Sequence, residues 1–166
     1  MVTTVERARE VAAAVPDPEL PMLTLADLGI LADVEEHDGA VTAWITPTYS
    51  GCPAVAEMAG DVARRLRAAG FDQVEVRLRI DPPWSSDRIS AEGRRKLAEA
   101  GIAPPTPGGL PTPGALLTLG PTRLAVTCPQ CGSTDTEELS RFGSTACKSL
   151  WRCRSCREPF DRIKEI

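Results

Sequence analysis

Four cysteines constrain this chain more than any other feature of it. Two residues separate Cys128 from Cys131, two separate Cys153 from Cys156, and 21 residues lie between the pairs. Two Cys-x-x-Cys turns facing each other deliver four thiolates to one tetrahedral ion, because the spacing within each pair lets both sulfurs converge while backbone N–H groups point at them. Gly132 supplies the permissive φ that such a turn needs, and Pro129 stiffens the same turn. Size argues independently for an ion. A unit spanning residues 122–166 is too short to bury the apolar surface that folding alone requires. A structural zinc contributes about 10–16 kcal/mol of apparent binding free energy, enough to offset that shortfall. The expected ion is therefore zinc. Iron stays open as the alternative, since a Cys-Pro-x-Cys-Gly turn also suits a single iron held by four thiolates. With four positions filled, either ion is structural or redox-active and not a hydrolytic Lewis acid.

A metal reading of the cysteines depends on the compartment. The opening stretch MVTTVERAREVAAAV has charges inside it and no long apolar region, so no secretory signal is expected there. No apolar run approaches the roughly 20 residues of a membrane span. The chain is expected to be cytoplasmic and without a membrane partner. There thiols stay reduced, and six cysteines read as metal ligands or reactive thiols before disulfides. The formal charge of −4 argues against nucleic acid as a partner, because phosphate neutralisation needs a surplus of Lys and Arg. The basic triplet Arg94-Arg95-Lys96 reads as a solvated helix face.

The rest of the chain resolves into alternating patterns. Thr3 and Glu6 form a Thr-x-x-Glu capping box, with Val5, Ala8, Ala12 and Val15 following at helical spacing until Pro16. The prolines make Asp17-Pro18-Glu19-Leu20-Pro21 a rigid turn. Ile30, Ala32 and Val34, then Val41, Ala43 and Ile45, alternate with polar or outward residues as two strands. Asp38-Gly39 between them is a hairpin signal, which leaves His37 in an exposed turn. A second helix is predicted from about Ala54 to Ala69, with Val55, Met58, Val62 and Leu66 as its core stripe and Gly70 as its stop. Val74, Val76, Leu78 and Ile80 mark a third strand, ended by Asp81-Pro82-Pro83-Trp84. A third helix opens at Ser90 and closes at Gly101. Residues 102–121 carry six prolines and four glycines, the composition of a stiff linker. The chain therefore reads as an α+β protein. A domain over 1–101 holds a small three-stranded sheet with packed helices, 102–121 is a Pro/Gly-rich linker, and 122–166 is a β-rich ribbon module.

Two thiols remain outside the quartet. Cys52, in Ser50-Gly51-Cys52-Pro53, precedes the second helix. Pro53 suits the first helical position, which makes Cys52 the expected cap, where the helix dipole and free N–H groups favour a thiolate. A reactive or metal-handling thiol and a buried cysteine at a tight turn both fit. Asp17, Glu19, Asp81 and Asp87 are loop carboxylates able to approach it or simply to be solvated. No histidine is placed to act as a base. Cys147 reads first as a small core residue, with a redox-sensitive site or a fifth thiol near the metal as the alternatives.

The stretches Asp17-Pro18-Glu19, Leu25-Ala-Asp27-Leu28-Gly29-Ile30 and Thr48-Tyr-Ser-Gly51-Cys52-Pro53 resemble the domain of SufT-type iron–sulfur assembly factors, and Asp81-Pro-Pro-Trp84-Ser-Ser-Asp87-Arg-Ile-Ser90 continues the likeness. Joined to Phe142-Gly-Ser-Thr-Ala-Cys147-Lys and Cys153-Arg-Ser-Cys156-Arg-Glu-Pro-Phe160, the whole resembles the PaaD family of bacterial phenylacetyl-CoA epoxidase components. The resemblance implies a non-catalytic accessory or maturation subunit in phenylacetate degradation. It implies that Cys52 handles iron or an iron–sulfur cluster in transit, with Asp17, Glu19 and Thr48 near it. The implied partners are the other epoxidase subunits, above all the iron–sulfur reductase. A homodimer is compatible with a cluster shared between two copies of Cys52. A purely structural role, docking on the oxygenase, is the alternative.

Overall fold

Capping sets where the first element begins. Thr3 Oγ1 accepts the Glu6 N–H at 3.2 Å while the Glu6 carboxylate accepts the Thr3 N–H at 2.7 Å, so both free amides are met before helix α1, Thr4–Ala13, starts. The Thr3 amide donating to Glu6 holds that carboxyl below its usual range. The computed structural model describes residues 3–49, 51–107 and 125–166. Strand β1 (Leu31–His37) pairs antiparallel with β2 (Ala40–Ile45), and β2 pairs parallel with β3 (Gln73–Leu78). Asp38 and Gly39 both take positive φ, 51° and 83°, the geometry of a tight hairpin turn. Helix α2, Ala54–Ala68, forms the crossover from β2 to β3, and helix α3 spans Ala91–Glu99. The second sheet is antiparallel and has β5 (Lys148–Cys153) between β4 (Thr136–Ser140) and β6 (Pro159–Ile163). The fold is α+β, as the patterns predict.

The chain divides into two compact units, residues 1–93 with Ile166, and residues 94–165. In the first, α1 and α2 bury Ala8, Ala12, Met58, Val62 and Leu66 together with Val41, Ala43 and Ile45 of the central strand. Val55, expected in the α2 stripe, is only half-buried and Ala54 takes its place in the core. The loop over residues 16–30 is no surface turn. It carries Leu20, Leu23, Leu25, Leu28 and Ile30, all buried, and Pro16 bridges to Thr24. Thr24 and Asp27 cap each other reciprocally, the Asp27 N–H donating to Thr24 Oγ1 at 3.1 Å and the Thr24 N–H to Asp27 Oδ2 at 3.0 Å. Trp84 Nε1–H donates to Leu28 O at 2.8 Å and the Ser90 N–H to Asp27 O at 2.9 Å, which fixes the loop from outside. Gly29, at φ +64°, lies so close to Arg88 that a Cβ would stand 2.7 Å from its carbonyl oxygen.

Strand β3 differs from its expected form in one respect. Leu78 is 51% exposed and Ile80, beyond the strand, 73% exposed. The alternation is as predicted, but β3 is an edge strand, so its apolar face is covered only at Val74 and Val76.

In the second unit Ala103, Val126, Cys128, Trp151, Cys153 and Phe160 form one small core. Ala103 lies in a parallel bridge with Arg162: the Ala103 N–H donates to Asp161 O at 2.9 Å and the Ile163 N–H to Ala103 O at 3.0 Å. Of the expected linker, only 102–107 are described; 108–121 lie outside the described residues.

Candidate functional site

The ribbon turns arise from backbone hydrogen bonds that close each cysteine loop. The Gly132 N–H donates to Cys128 O at 2.9 Å and the Cys128 N–H to Ser133 O at 2.9 Å; in the second turn the Cys153 N–H donates to Glu158 O at 3.0 Å. Gly132 takes φ +74°, and Arg157, in the corresponding place after Cys156, takes φ +67°. The sequence flags the first of these through its glycine and conceals the second, because Arg157 carries no such signature. Ser133 Oγ and Ser155 Oγ, 2.8 Å apart, tie the two turns together.

These turns bring Cys128 Sγ to 3.7 Å from Cys156 Sγ and Cys131 Sγ to 3.6 Å from Cys153 Sγ, with all four sulfurs within 4.8 Å of one another. Zinc–sulfur bonds of about 2.3 Å in a tetrahedron place sulfurs about 3.8 Å apart. The quartet fits zinc, with Cys128 and Cys153 buried and Cys131 and Cys156 facing outward. An ion held by these four sulfurs would clamp the two turns together.

Two of the thiols are shifted in opposite directions. The Cys156 N–H donating to its sulfur lowers Cys153 to about 6. The Glu158 N–H favours a thiolate at Cys156, yet burial and the sulfurs of Cys131, Cys153 and Cys128 push it up to about 12. Four thiolates this close repel one another, and a divalent cation removes that penalty. Glu137, gripped by Arg154 and Arg152, is held below its usual range on the face of β4.

Cys52 is half-buried. Pro53, already in helical conformation (φ −66°, ψ −25°), occupies the cap of α2 with no side-chain capping bond, so Cys52 lies one residue outside the position expected for it. Its backbone closes a turn instead, the Cys52 N–H donating to Tyr49 O and the Val55 N–H to Cys52 O, both at 3.3 Å. Asp17 is buried, and its Oδ1 accepts the N–H groups of Glu19 at 2.9 Å and Leu20 at 2.8 Å; it holds its own turn. Glu19 is exposed. Thr48 helps to wall an open cavity of about 460 Å³ with Tyr49, Ile80, Trp84 and Thr46. The Thr46 hydroxyl is buried there without a hydrogen-bond partner among the described residues. Among those residues the quartet is the only group of three or more His, Cys, Asp or Glu side chains arranged to hold an ion, so Cys52, Asp17 and Glu19 do not assemble one. Cys147 is half-buried rather than core, with its sulfur 3.1 Å from Thr145 Oγ1. His37 is exposed at the end of β1. No helix among the described residues is long and apolar enough to cross a membrane.

Known proteins match both units. Residues 113–164 match the family model of the PaaD zinc beta ribbon domain, and residues 6–100 that of an iron–sulfur cluster assembly protein. A protein of Escherichia coli (strain K12), described as the D component of 1,2-phenylacetyl-CoA epoxidase, is 43% identical over 152 residues, 92% of this chain and 87% of its own. An Fe-S protein maturation auxiliary factor of Porphyromonas gingivalis (strain ATCC BAA-308 / W83) is 34% identical over 83 residues, 49% of this chain and 78% of its own. Among solved structures, a domain of unknown function (DUF59) from Bacillus anthracis is 28% identical with a TM-score of 0.52, covering 56% of this chain and 90% of that one.

Proposed function

This chain belongs to the PaaD family of 1,2-phenylacetyl-CoA epoxidase components, and from that premise we propose that it is a non-catalytic accessory protein that helps load iron or an iron–sulfur cluster into a partner subunit. The client in this reading is the iron–sulfur reductase of the epoxidase system. The assembly function belongs to residues 1–101 and the docking or structural function to the zinc ribbon of 122–166, joined through 102–121. Cys52 is the cargo-handling thiol, with Asp17, Glu19 and Thr48 as its neighbours. Cluster or iron is cargo here, not a resident group.

The observation that carries the reading is the half-buried Cys52 thiol, outside the quartet and without a ligand set of its own among the described residues. A lone thiolate does not retain a cluster by itself, since clusters are held by several cysteines at once. It can hand one on when a client supplies the remaining ligands. The test is to purify wild type and Cys52→Ser anaerobically, measure zinc, iron and sulfide, and incubate each with cluster-free reductase, limiting iron salt, sulfide and a thiol reductant. Wild type should raise reductase absorption and Cys52→Ser should not. Equal loading by both proteins would sink the reading. The quartet's four filled positions favour a second reading, a structural component that docks on the oxygenase, and that same outcome would support it.

A further inference from the structure

Strand β3 ends the first sheet, and no strand pairs with its outer side among the described residues. The two edges of this sheet are built differently. β1 is interrupted by a bulge between Leu31 and Asp33, a device that spoils pairing with another chain. β3 keeps an unbroken six-residue register with β2 and contains no proline. The Arg79 N–H donates to Ile45 O at 2.9 Å on the β2 side. Backbone groups alternate along a strand, so the odd-numbered residues of β3 face β2 and the N–H and C=O of Val74, Val76 and Leu78 face outward. Arg67 reaches over that edge, its Nη2 standing a long 3.5 Å from Val74 O.

We infer that the β3 edge is a self-association surface: two copies of this chain pair antiparallel through β3 about a two-fold axis at Val76, fusing two three-stranded sheets into one of six. The sequence of the edge is self-complementary in that register and in no adjacent one. Pairing Val76 with Val76 joins Val74 to Leu78, and all of these are outward-facing residues able to exchange strand hydrogen bonds. Glu75 then lies opposite the second copy's Arg77, and Arg77 opposite its Glu75, at the closer, non-hydrogen-bonded positions where opposite charges stabilise a strand pair. Gln73 meets Arg79. Moving the axis one residue either way sets Glu75 against Glu75 or Arg77 against Arg77. Within one chain Arg77 Nε already stands 2.7 Å from Glu75 Oε1, so pairing extends an ion pair into a square of alternating charge. The same step covers Leu78, the exposed apolar residue of the strand, with Val74 of the second copy. A single strand edge is at the weak end of specific interfaces, so the pair forms only as concentration rises.

Sedimentation equilibrium of the zinc-loaded full chain over a range of concentrations tests this. Wild type should approach twice the 17.8 kDa of one chain as concentration rises. Val76→Pro removes an outward N–H and leaves the β2 ladder intact, so it should stay at the single-chain mass with an unchanged circular dichroism spectrum. Glu75→Arg should also be monomeric, and Glu75→Arg with Arg77→Glu should dimerise again because the swapped charges still alternate. A wild type that remains a single chain at hundreds of micromolar overturns the inference. So does a dimer that either single variant leaves untouched.

Discussion

Arg157 takes a left-handed backbone in the second cysteine turn where Gly132 takes it in the first. A non-glycine residue there costs about 1–2 kcal/mol, and the extra freedom of glycine in the unfolded chain returns about 0.5–1 kcal/mol of that. Arg157→Gly should therefore stabilise the zinc-bound ribbon by about 0.5–1 kcal/mol, read as a higher thermal midpoint with zinc content unchanged. Cys153 sets the acid limit of the same site. Its thiolate is favoured in the folded state, so that contribution is complete above the ordinary thiol range and is lost as pH falls through about 6. Protons then compete with the metal for the sulfurs. The apparent zinc affinity should fall more steeply with pH below about 6 than above it, and a slope unchanged across that value would contradict the assignment. The cysteine quartet was legible because its spacing is what a tetrahedral ion requires. Arg157 was not, because a left-handed arginine leaves no trace in residue type.

At the scale of elements, helices and strands follow their local patterns closely, and the departures lie between them. Of the segment over residues 16–30 only a proline turn at 17–21 is read locally, yet the whole is an inner loop of the first unit. Asp17, placed beside Cys52 by resemblance, spends its carboxylate on the amides of Glu19 and Leu20. The loop's tight point is Gly29. Gly29→Ala adds a Cβ against the Arg88 carbonyl at a backbone angle that alanine resists, and should cost about 2–4 kcal/mol. Urea unfolding would show this as a lower midpoint with the slope retained; an unchanged midpoint would mean that the loop relaxes freely. Cys52 sits one residue off the α2 cap because Pro53 already has helical φ and ψ and takes the cap position itself. Proline's fixed φ was visible beforehand, but where the first helical hydrogen bond forms was not.

For the whole molecule, the two units draw their stability from different sources. Residues 1–93 have a core of helix stripes on a sheet; residues 94–165 centre on six small-core residues that include two cysteines of the quartet. Removing the ion from the intact chain with a strong chelator should unfold the second unit and spare the first. In a heteronuclear NMR spectrum the amides of β4 to β6 should collapse to random-coil positions while those of β1 to β3 stay put. Collapse of both sets would mean that the units fold as one. Sequence alone determined the cysteine quartet, the start of α1, the hairpin and the α+β class, because each depends on residue chemistry or on a period of a few residues. Tertiary structure alone decided which strand is an edge, that the 16–30 loop is buried, that Asp17 holds its own turn, and that Arg157 is left-handed. Those depend on which surfaces meet across long stretches of chain, and no local pattern carries that information.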